Sequence, residues 1–379
     1  MSNLTNYPTV QKVIESELKR GSASGIQIYV SVNRQVALNQ AVGSFVNPAQ
    51  SFTQDTLMQW MSAGKPLLAV ALARLIEDGK ISSWDAPVAN YWPDFGVEGK
   101  SAVTLKHLLT HTGAFRNGDR LVSQTHPKPW EVWTDELATA PLEDPNSQPG
   151  AQAAYHTGGS WLVLGEVLRR VSAHGTKDVG LAFREWVLDP VGMLDTWVGM
   201  PKDVYERYRV QDRLGSLHYT SGSEGAEIRE HPKRDQPSAF LICQPGGGVR
   251  GPIRELGLFY EKLLDALDGK ADEFLRPETA REITSRVRKG MFDATFQSTL
   301  DWGLGFMLNS NRYGPAPYQF GPHASDSTFG HGGSQCSIGF ADPEKNLVVA
   351  WVWNTTPGEP AHQRRNLALN QAIYEDLGI

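Results

Sequence analysis

Cysteine is nearly absent from this chain of 379 residues, in which only Cys243 and Cys336 occur. Two cysteines so far apart do not make the disulfide framework of small secreted domains, and a reducing cytosol would keep them as thiols. Hydrophobic residues make up 40% of the chain and charged residues 21%. This composition is typical of a soluble globular protein that buries a large core.

The sequence also lacks a basic run and a long apolar run. The formal net charge is -6, and basic residues cluster at most as short pairs, so nothing indicates binding to nucleic acid. No apolar stretch reaches the roughly 18 residues that cross a bilayer, and the first residues lack the basic and apolar regions of a signal peptide. We therefore expect a cytoplasmic protein with no nucleic-acid or membrane partner.

The two ends of the chain have mirrored patterns. Near the amino end, "TVQKVIESELKRG" has apolar residues at helical spacing, and two strand-like stretches, "GIQIYVSV" and "VALNQAVG", follow around a turn at Asn33 and Arg34. Near the carboxyl end, "CSIGFA" and "NLVVAWVWN" flank a turn and precede a helical pattern. One antiparallel sheet containing both hairpins, with the terminal helices packed on it, would bury all of these apolar faces.

The middle of the chain predicts helices. Amphipathic patterns separated by polar or proline- and glycine-rich connections occur at 67–78, 104–110, 160–171, 181–188 and 253–267. The whole pattern predicts an α+β fold with two domains. Residues 1–80 and 285–379 form a domain of helices around an antiparallel sheet, residues 81–284 form an inserted, mainly helical domain, and the active site lies between them.

The segment "SAGKPLLAVALARLIEDGK" combines helix signals with a chemical pair. Ser62 is a candidate N-cap, Pro66 suits the first turn and Gly79 the helix end, which places Ser62 and Lys65 one turn apart on one face. A capping serine and a solvated lysine are the ordinary interpretation. Two observations favour catalysis. Gly64 costs about 0.5–1 kcal/mol relative to alanine in a helical turn, which indicates that bulk is unwelcome beside the serine and lysine. The helix is also apolar nearly all round, which would bury its start.

Burial would allow Lys65 to act as a base. The ordinary pKa of lysine is about 10.4, whereas desolvation and the positive end of a helix both lower the pKa. A neutral Lys65 within hydrogen-bond distance would take the proton of Ser62 and convert it into an acylatable nucleophile. The backbone N–H of Ser62, at the start of the helix, is then a candidate oxyanion donor.

Seven segments resemble, in order and spacing, the serine β-lactamase superfamily, in particular class C β-lactamase-like serine hydrolases and family VIII carboxylesterases. The resemblance covers nearly the whole chain and includes "SAGKPLLAVALARLIEDGKISSWDAPVANYWPDF", "VTLKHLLTHTGAF", "PGAQAAYHTGGSWLVLGEVLRRVS", "FREWVLDPVGMLDT", "QPGGGVRGPIRELGLFYEKLL", "DWGLGFML" and "FGHGGSQCSIGFADPEKNLVVAWVWN". It implies a helix-flanked antiparallel sheet built from both termini with an inserted helical domain, in agreement with the patterns above.

The resemblance implies a role for each residue that matches a motif. Ser62 resembles the nucleophile, Lys65 its base, and Tyr155 the tyrosine that passes the proton to the leaving group and later activates the acceptor. Ser334 would supply the second oxyanion N–H beside that of Ser62. The residues implied to bind substrate, including two glycines that let an acyl group approach the backbone, are Thr157, His331, Gly332 and Gly333.

Two positions depart from the lactamase pattern. Lactamases and penicillin-binding proteins have a lysine where this chain has His331, and a histidine with its ordinary pKa of about 6.5 is mostly neutral at pH 7. Class C lactamases have an asparagine where this chain has Thr157. The resemblance thus implies acyl transfer with a changed pocket, acting on a small carboxylic ester, thioester or amide without metal or organic cofactor.

Several functions remain open at this point. An acyl hydrolase would pass the acyl group to water, whereas a dedicated biosynthetic transacylase would pass it to an amine or alcohol. A non-catalytic scaffold and a β-lactamase or DD-peptidase are further alternatives. The motifs leave the donor, the acceptor and the oligomeric state unspecified.

Two other motifs are less specific. "GGGVRG", residues 246–251, fits the glycine pattern of a dinucleotide site, but no strand with an acidic end follows the next helix. His107 and His111 are four residues apart, but "HLLTH" lacks the glutamate of a zinc hydrolase and no third ligand is evident. We therefore expect neither a nucleotide nor a metal at these residues.

Overall fold

The computed structural model describes residues 3–122, 128–172, 178–231, 234–270 and 274–379. Its strands, in chain order, are β1 Gly25–Val32, β2 Gln35–Gly43, β3 Met58–Gln59, β4 Trp197–Val198, β5 His218–Tyr219, β6 Arg229–Glu230, β7 Val249–Gly251, β8 Arg288–Asp293, β9 Ser298–Trp302, β10 Met307–Leu308, β11 Phe329–Gly333, β12 Ser337–Asp342, β13 Leu347–Trp353 and β14 Thr355–Thr356. In the described ranges, the largest sheet has eight antiparallel strands in the order β2-β1-β13-β12-β11-β10-β9-β8. Both ends of the chain therefore build one sheet, as the sequence predicted.

The helices surround this sheet and fill the middle of the chain. They are α1 Pro8–Arg20, α2 Lys65–Glu77, α3 Leu105–Leu109, α4 Asn117–Leu121, α5 Trp130–Thr139, α6 Gly159–Val171, α7 Val179–Phe183, α8 Asp189–Val191, α9 Lys202–Val210, α10 Pro237–Leu241, α11 Ile253–Leu267, α12 Pro277–Thr284 and α13 Glu359–Leu377. The predicted helix at 181–188 is instead the end of α7 followed by a π-helical turn, Arg184–Leu188. Among the helices of the described ranges, none is long and apolar enough to cross a membrane.

The predicted hairpin at the amino end is confirmed. β1 and β2 pair antiparallel, and the two turn residues Asn33 and Arg34 have φ of 52° and 62°. Two consecutive positive φ values define a turn whose twist matches the right-handed twist of paired strands. β1 then pairs with β13 on its other side, which joins the two ends of the chain.

Strand β13 shows how the sheet is covered on both faces. Val348, Ala350 and Val352 belong to the core cluster that contains α2 and α11, whereas Val349 and Trp351 pack in the cluster that contains residues of α1 and α13. Alternate residues of a strand point to opposite faces, so a strand covered on both sides is apolar throughout. Helix α11, which the sequence grouped with the helical region, therefore packs on the sheet.

The far edge of the sheet was not predicted. β8 to β10 add three antiparallel strands beyond β11. In β8, the buried pair Arg288 and Asp293 forms an ion pair of 3.1 Å, and Lys289, Gly290 and Phe292 between them are exposed. Because the buried positions are charged and the apolar one is exposed, the alternation that identifies a strand is missing.

Candidate active site

Ser62 lies in a 3-10 turn, Met61–Gly64, directly ahead of α2. The prediction that Ser62 is the helix N-cap is wrong, because Gly64 occupies that position and no side chain caps the helix. Instead, Ser62 Oγ lies 2.9 Å from Lys65 Nζ, within hydrogen-bond distance. The serine and the lysine share one face, as predicted. The serine oxygen forms its hydrogen bond with the lysine amine and does not cap the backbone of the helix.

The turn is packed closely between two strands. Met61 has a φ of 50°, and Ser337 Oγ donates a hydrogen bond of 2.5 Å to the carbonyl of Trp60. A Cβ on Gly64 would lie 2.3 Å from Val249 Cγ2. The prediction that bulk is unwelcome beside the serine and lysine is therefore confirmed, and Val249 of β7 is the group that requires it.

Lys65 is fully buried and has three polar partners. Besides its contact with Ser62, Lys65 Nζ donates to the carbonyls of Thr157 at 2.8 Å and Gly246 at 2.5 Å. Burial lowers the pKa of Lys65 to about 7, and the charge of Asp119 offsets part of the shift. A neutral amine has two N–H groups and one lone pair, so the two carbonyls use both N–H groups and the lone pair faces Ser62.

Tyr155 lies beside both the serine and the lysine, with Lys65 Nζ 5.3 Å from the centre of its ring. Its ring centre lies 4.5 Å from that of His111 and 4.7 Å from that of Phe296, and its backbone N–H donates to Asp293 at 3.0 Å. Burial raises the pKa of Tyr155, and a hydrogen bond with Ser62 lowers it in part. The phenol is therefore protonated at neutral pH, and it can donate and accept a hydrogen bond at the same atom.

Asp119, which the sequence analysis missed, holds the segment that carries Tyr155. Its carboxylate accepts hydrogen bonds from the backbone N–H groups of Thr157 at 2.7 Å, Gly158 at 2.8 Å and Gly159 at 2.7 Å. These bonds orient the Thr157 carbonyl that contacts Lys65. The signal is absent from the sequence because these partners of Asp119 are backbone N–H groups, and no residue type reveals a backbone partner.

A cavity of about 640 Å³ opens above the serine. Of the predicted site residues, five line it: Ser62, Tyr155, Thr157, Gly332 and Ser334. Lys65, His331 and Gly333 are buried below its surface. The structure thus brings all predicted site residues to one place, in two layers. The backbone contribution of Gly246 was also missed, and it comes from the glycine-rich segment first considered as a dinucleotide motif.

His331, Gly332, Gly333 and Ser334 form the third motif of the resemblance, and they lie at the end of β11, against the cavity. His331 Nδ1 is 2.7 Å from the carbonyl of Gly332, and its ring stands edge-on to Trp302. Burial, followed by the charge of Lys65, lowers the pKa of His331 to about 3, so this imidazole is neutral at pH 7. No fixed cation stands at this position, in agreement with the expectation for a histidine there.

The two glycines of this motif lie so close to other parts of the protein that a Cβ atom would not fit at either position. A Cβ on Gly332 would lie 2.4 Å from the Tyr318 ring, and a Cβ on Gly333 would lie 2.2 Å from the Trp60 carbonyl. Their neighbours within the protein are Tyr318, which also lines the cavity, Ser337, and the chain that leads to the serine. The approach of an acyl group to these two glycines stays a prediction.

The two histidines considered as metal ligands have other contacts. His107 Nδ1 accepts from the N–H of Thr104 at 3.2 Å in a helix-capping arrangement. His111 Nδ1 accepts from the N–H of His156 at 2.9 Å, and its ring stacks on Trp161. In the part of the chain that the structure describes, no group of histidine, cysteine, aspartate and glutamate side chains could hold a metal ion.

The site therefore combines a serine, a buried lysine and a tyrosine beside β11, an interior strand of the large sheet of an α+β fold. The Beta-lactamase family model matches residues 10–373, so the chain belongs to the Beta-lactamase family. It is 27% identical over 384 residues to Esterase EstB of Burkholderia gladioli, covering 96% of this chain and 93% of EstB.

Two further comparisons agree. The chain is 25% identical over 328 residues to Esterase/beta-lactamase LipL of Mycobacterium tuberculosis, covering 80% of this chain and 70% of LipL. The solved structure of EstCE1 has the same fold, with a TM-score of 0.79 and 19% identity over 98% of this chain and 99% of EstCE1. The protein is thus a β-lactamase-fold hydrolase with esterase relatives.

Proposed function

We propose that the protein is an acyl hydrolase that forms an acyl-enzyme at Ser62 from a small carboxylic ester, thioester or amide. The observation that carries this proposal is the contact of 2.9 Å between Ser62 Oγ and Lys65 Nζ, made by a lysine whose two N–H groups have carbonyl partners. A lysine neutral near pH 7 is a competent general base for a serine hydroxyl.

The proposed reaction uses the described groups in order. Lys65 takes the Ser62 proton while Oγ attacks the carbonyl carbon, and the backbone N–H groups of Ser62 and Ser334 stabilise the oxyanion. Tyr155 donates its proton to the leaving alkoxide and receives one from the lysine. In deacylation, water attacks the acyl carbon and transfers a proton to Tyr155. Tyr155 passes a proton to Lys65, Lys65 returns one to Ser62 Oγ, and the free acid is released.

A simple ester suits the site better than a β-lactam. The neutral His331 offers no positive charge for the carboxylate of a lactam, and Thr157 has no amide group for its side chain. Apolar residues on the cavity wall suit an acyl chain; they are Phe296, Met307 and Pro317. The names of EstB and LipL support an esterase, and we expect kcat/KM for p-nitrophenyl butyrate to exceed that for a chromogenic cephalosporin.

Transfer to an amine or alcohol is the second candidate. Pro317 and Tyr318, from the proline- and glycine-rich segment ahead of the third motif, line the same cavity as Ser62. An oriented acceptor there would gain several kcal/mol over bulk water. EstCE1 is described as a hydrolase with promiscuous acyltransferase activity. Millimolar acceptors should then divert the acyl group from free acid into amide or ester.

Intact-protein mass spectrometry after exposure to activated esters tests the acyl-enzyme. We expect the added mass of one acyl group on the unmodified chain, none on Ser62→Ala, and an unchanged adduct on the exposed-site control Ser101→Ala. Label at another residue in Ser62→Ala would remove the nucleophile assignment.

A further inference from the structure

The cavity above Ser62 also contains an acidic residue. Glu359 is the first residue of α13, is half-buried and lines the same cavity as Ser62 and Ser334. Gln363, one helical turn later and on the same face, lines it too. A carboxylate at the start of a helix of 19 residues is stabilised by the helix dipole. The carboxylate and the amide therefore form one polar edge of the cavity.

Hydrogen bonds hold Glu359 in place. The Tyr318 hydroxyl donates to the two carboxylate oxygens at 2.7 and 2.9 Å and accepts from the N–H of Gln335 at 3.2 Å. Gln335 is the residue after Ser334, and its Oε1 accepts from the N–H of Gly358 at 2.7 Å. The carboxylate is thus fixed relative to the turn that bears Ser334.

The neighbouring basic residues are directed elsewhere. Arg364 Nη2 is 2.9 Å from Glu17, and Arg365 donates to the backbone carbonyls of Ser22, Gln335 and Thr355. No ion pair between Glu359 and a lysine or arginine occurs among the described residues. The carboxylate has about four acceptor positions, and its hydrogen bonds from Tyr318 leave the others for a group in the cavity.

One arginine also lines the cavity, and its surroundings differ. Arg234 Nη1 lies 3.1 Å from Met61 Sδ, and the backbone carbonyl of Arg234 accepts from Arg250. Burial lowers the pKa of Arg234, and Cys336 and the next residue, Asp235, offset part of this shift. The Arg234 guanidinium contacts the Met61 sulfur and lies near Asp235, whereas the charge of Glu359 faces the cavity.

We propose that Glu359 binds a cationic group of the acyl donor, so that the preferred substrates are esters carrying an ammonium group in their acyl or alcohol part. This inference rests on the proposed function, since it specifies the substrate of the Ser62 site. The Tyr318 hydroxyl orients the carboxylate, and the amide oxygen of Gln363 adds a second negative partial charge on the same side of the cavity. A donor with a carboxylate or sulfonate at the same place meets repulsion.

Matched esters test the charge preference without changing shape. The cationic probe is the p-nitrophenyl ester of γ-(trimethylammonio)butyric acid, and its neutral match has a tert-butyl group in place of the trimethylammonium group. Acetylcholine and its tert-butyl analogue provide the same comparison on the alcohol side. In at least one pair we expect kcat/KM to favour the cation by about tenfold or more, at low ionic strength.

Glu359→Gln keeps an oxygen for the Tyr318 hydroxyl but removes the charge, so the ratio of cationic to neutral kcat/KM should fall towards one in a variant whose melting curve shows it to be folded at the assay temperature. Glu375→Gln removes one charge at an exposed position of the same helix and should retain the ratio. A preference that persists in Glu359→Gln, or a wild-type preference for the matching sulfonate, overturns the inference while the esterase proposal stands. If none of these esters acylates Ser62, both proposals fail.

Discussion

Two buried lysines of this protein have nearly the same surroundings and different chemistry. Lys65 and Lys100 are both fully buried, and each donates to two backbone carbonyls, those of Ala138 and Ala140 in the case of Lys100. Each also lies over two aromatic rings. Burial lowers the pKa of Lys65 to about 7 and that of Lys100 to about 8.

The difference is the third partner of the amine. Lys65 has Ser62 Oγ at 2.9 Å and a cavity above it, whereas Lys100 lies against Phe95 and Phe115 in the core. A depressed lysine pKa is therefore a consequence of burial and does not identify a base. Catalysis further requires a hydroxyl in line with the lone pair and room for a substrate.

The largest expected effect comes from replacing each lysine by arginine, which cannot lose its proton in a protein. Lys65→Arg should lower kcat/KM for p-nitrophenyl butyrate by about 10²–10⁴-fold, the usual range for loss of general base catalysis. Lys100→Arg should mainly destabilise, by about 1–3 kcal/mol from overpacking, and leave the kinetics within a few-fold. Wild-type turnover in Lys65→Arg would show that the lysine acts only as a cation.

The pH profile distinguishes the two lysines in the unmodified protein. Lys65 must be neutral to act, so kcat/KM should fall about tenfold per pH unit below its pKa of about 7 and level off above it. Titration of Lys100, with its pKa of about 8, should leave no trace in the rate. If the profile of kcat/KM has a limb near pH 8 that disappears in Lys100→Arg, this distinction is contradicted.

Each lysine also has a carboxylate that raises its pKa, Asp119 for Lys65 and Glu98 for Lys100. Asp119→Asn should lower kcat/KM by about tenfold, because charge-assisted bonds to three backbone N–H groups are weakened. It should also move the acid limb to lower pH, since a negative charge near Lys65 is lost. Glu98→Gln, at an exposed position, is the control and should leave the acid limb of the kcat/KM profile at the same pH. If the acid limb of Asp119→Asn also stays at the same pH, Asp119 has a structural role alone.

The smallest effect concerns the space beside Lys65. In Gly64→Ala the new Cβ would lie 2.3 Å from Val249 Cγ2, so we expect a loss of about 1–3 kcal/mol in the free energy of unfolding from overpacking. Denaturant titration measures it. The double variant Gly64→Ala/Val249→Ala removes the contact with Cγ2 and keeps the one with the Cβ of residue 249 at 2.7 Å, so it should regain part of the loss. If the double variant is less stable by the sum of both single changes, the contact does not explain the glycine.

Local patterns predicted the elements near the chain ends well. The turn at Asn33 and Arg34 and the apolar strand β13 carry their signals in adjacent residues, and the structure confirms both. β8 was missed because its buried residues, Arg288 and Asp293, are a charged pair. Each of these two residues can be buried because the other neutralises its charge, and neither residue type alone indicates such a partner.

The same limit applies within the site. Ser62 and Lys65 were predicted as a pair because three residues of spacing fix their relation, yet the N-cap assignment of Ser62 was wrong. An N-cap serine would be the last extended residue before the helix. Here Ser62 lies within a 3-10 turn, which is held by the pairing of β3 with β7 and by the hydrogen bond to the Trp60 carbonyl. Packing between strands distant in sequence overrides the local preference of a serine for capping.

The sequence by itself determined which side chains are available: a serine and lysine one turn apart, a tyrosine ahead of α6, a histidine in place of a lysine, and two terminal hairpins that must share a sheet. Only the tertiary structure decided the charge of Lys65, because its pKa depends on complete burial and on the charge of Asp119. It also decided that Glu359 shares a cavity with Ser62. Residue identity sets what a group can do, and desolvation and neighbours brought from far along the chain set which protonation state it has.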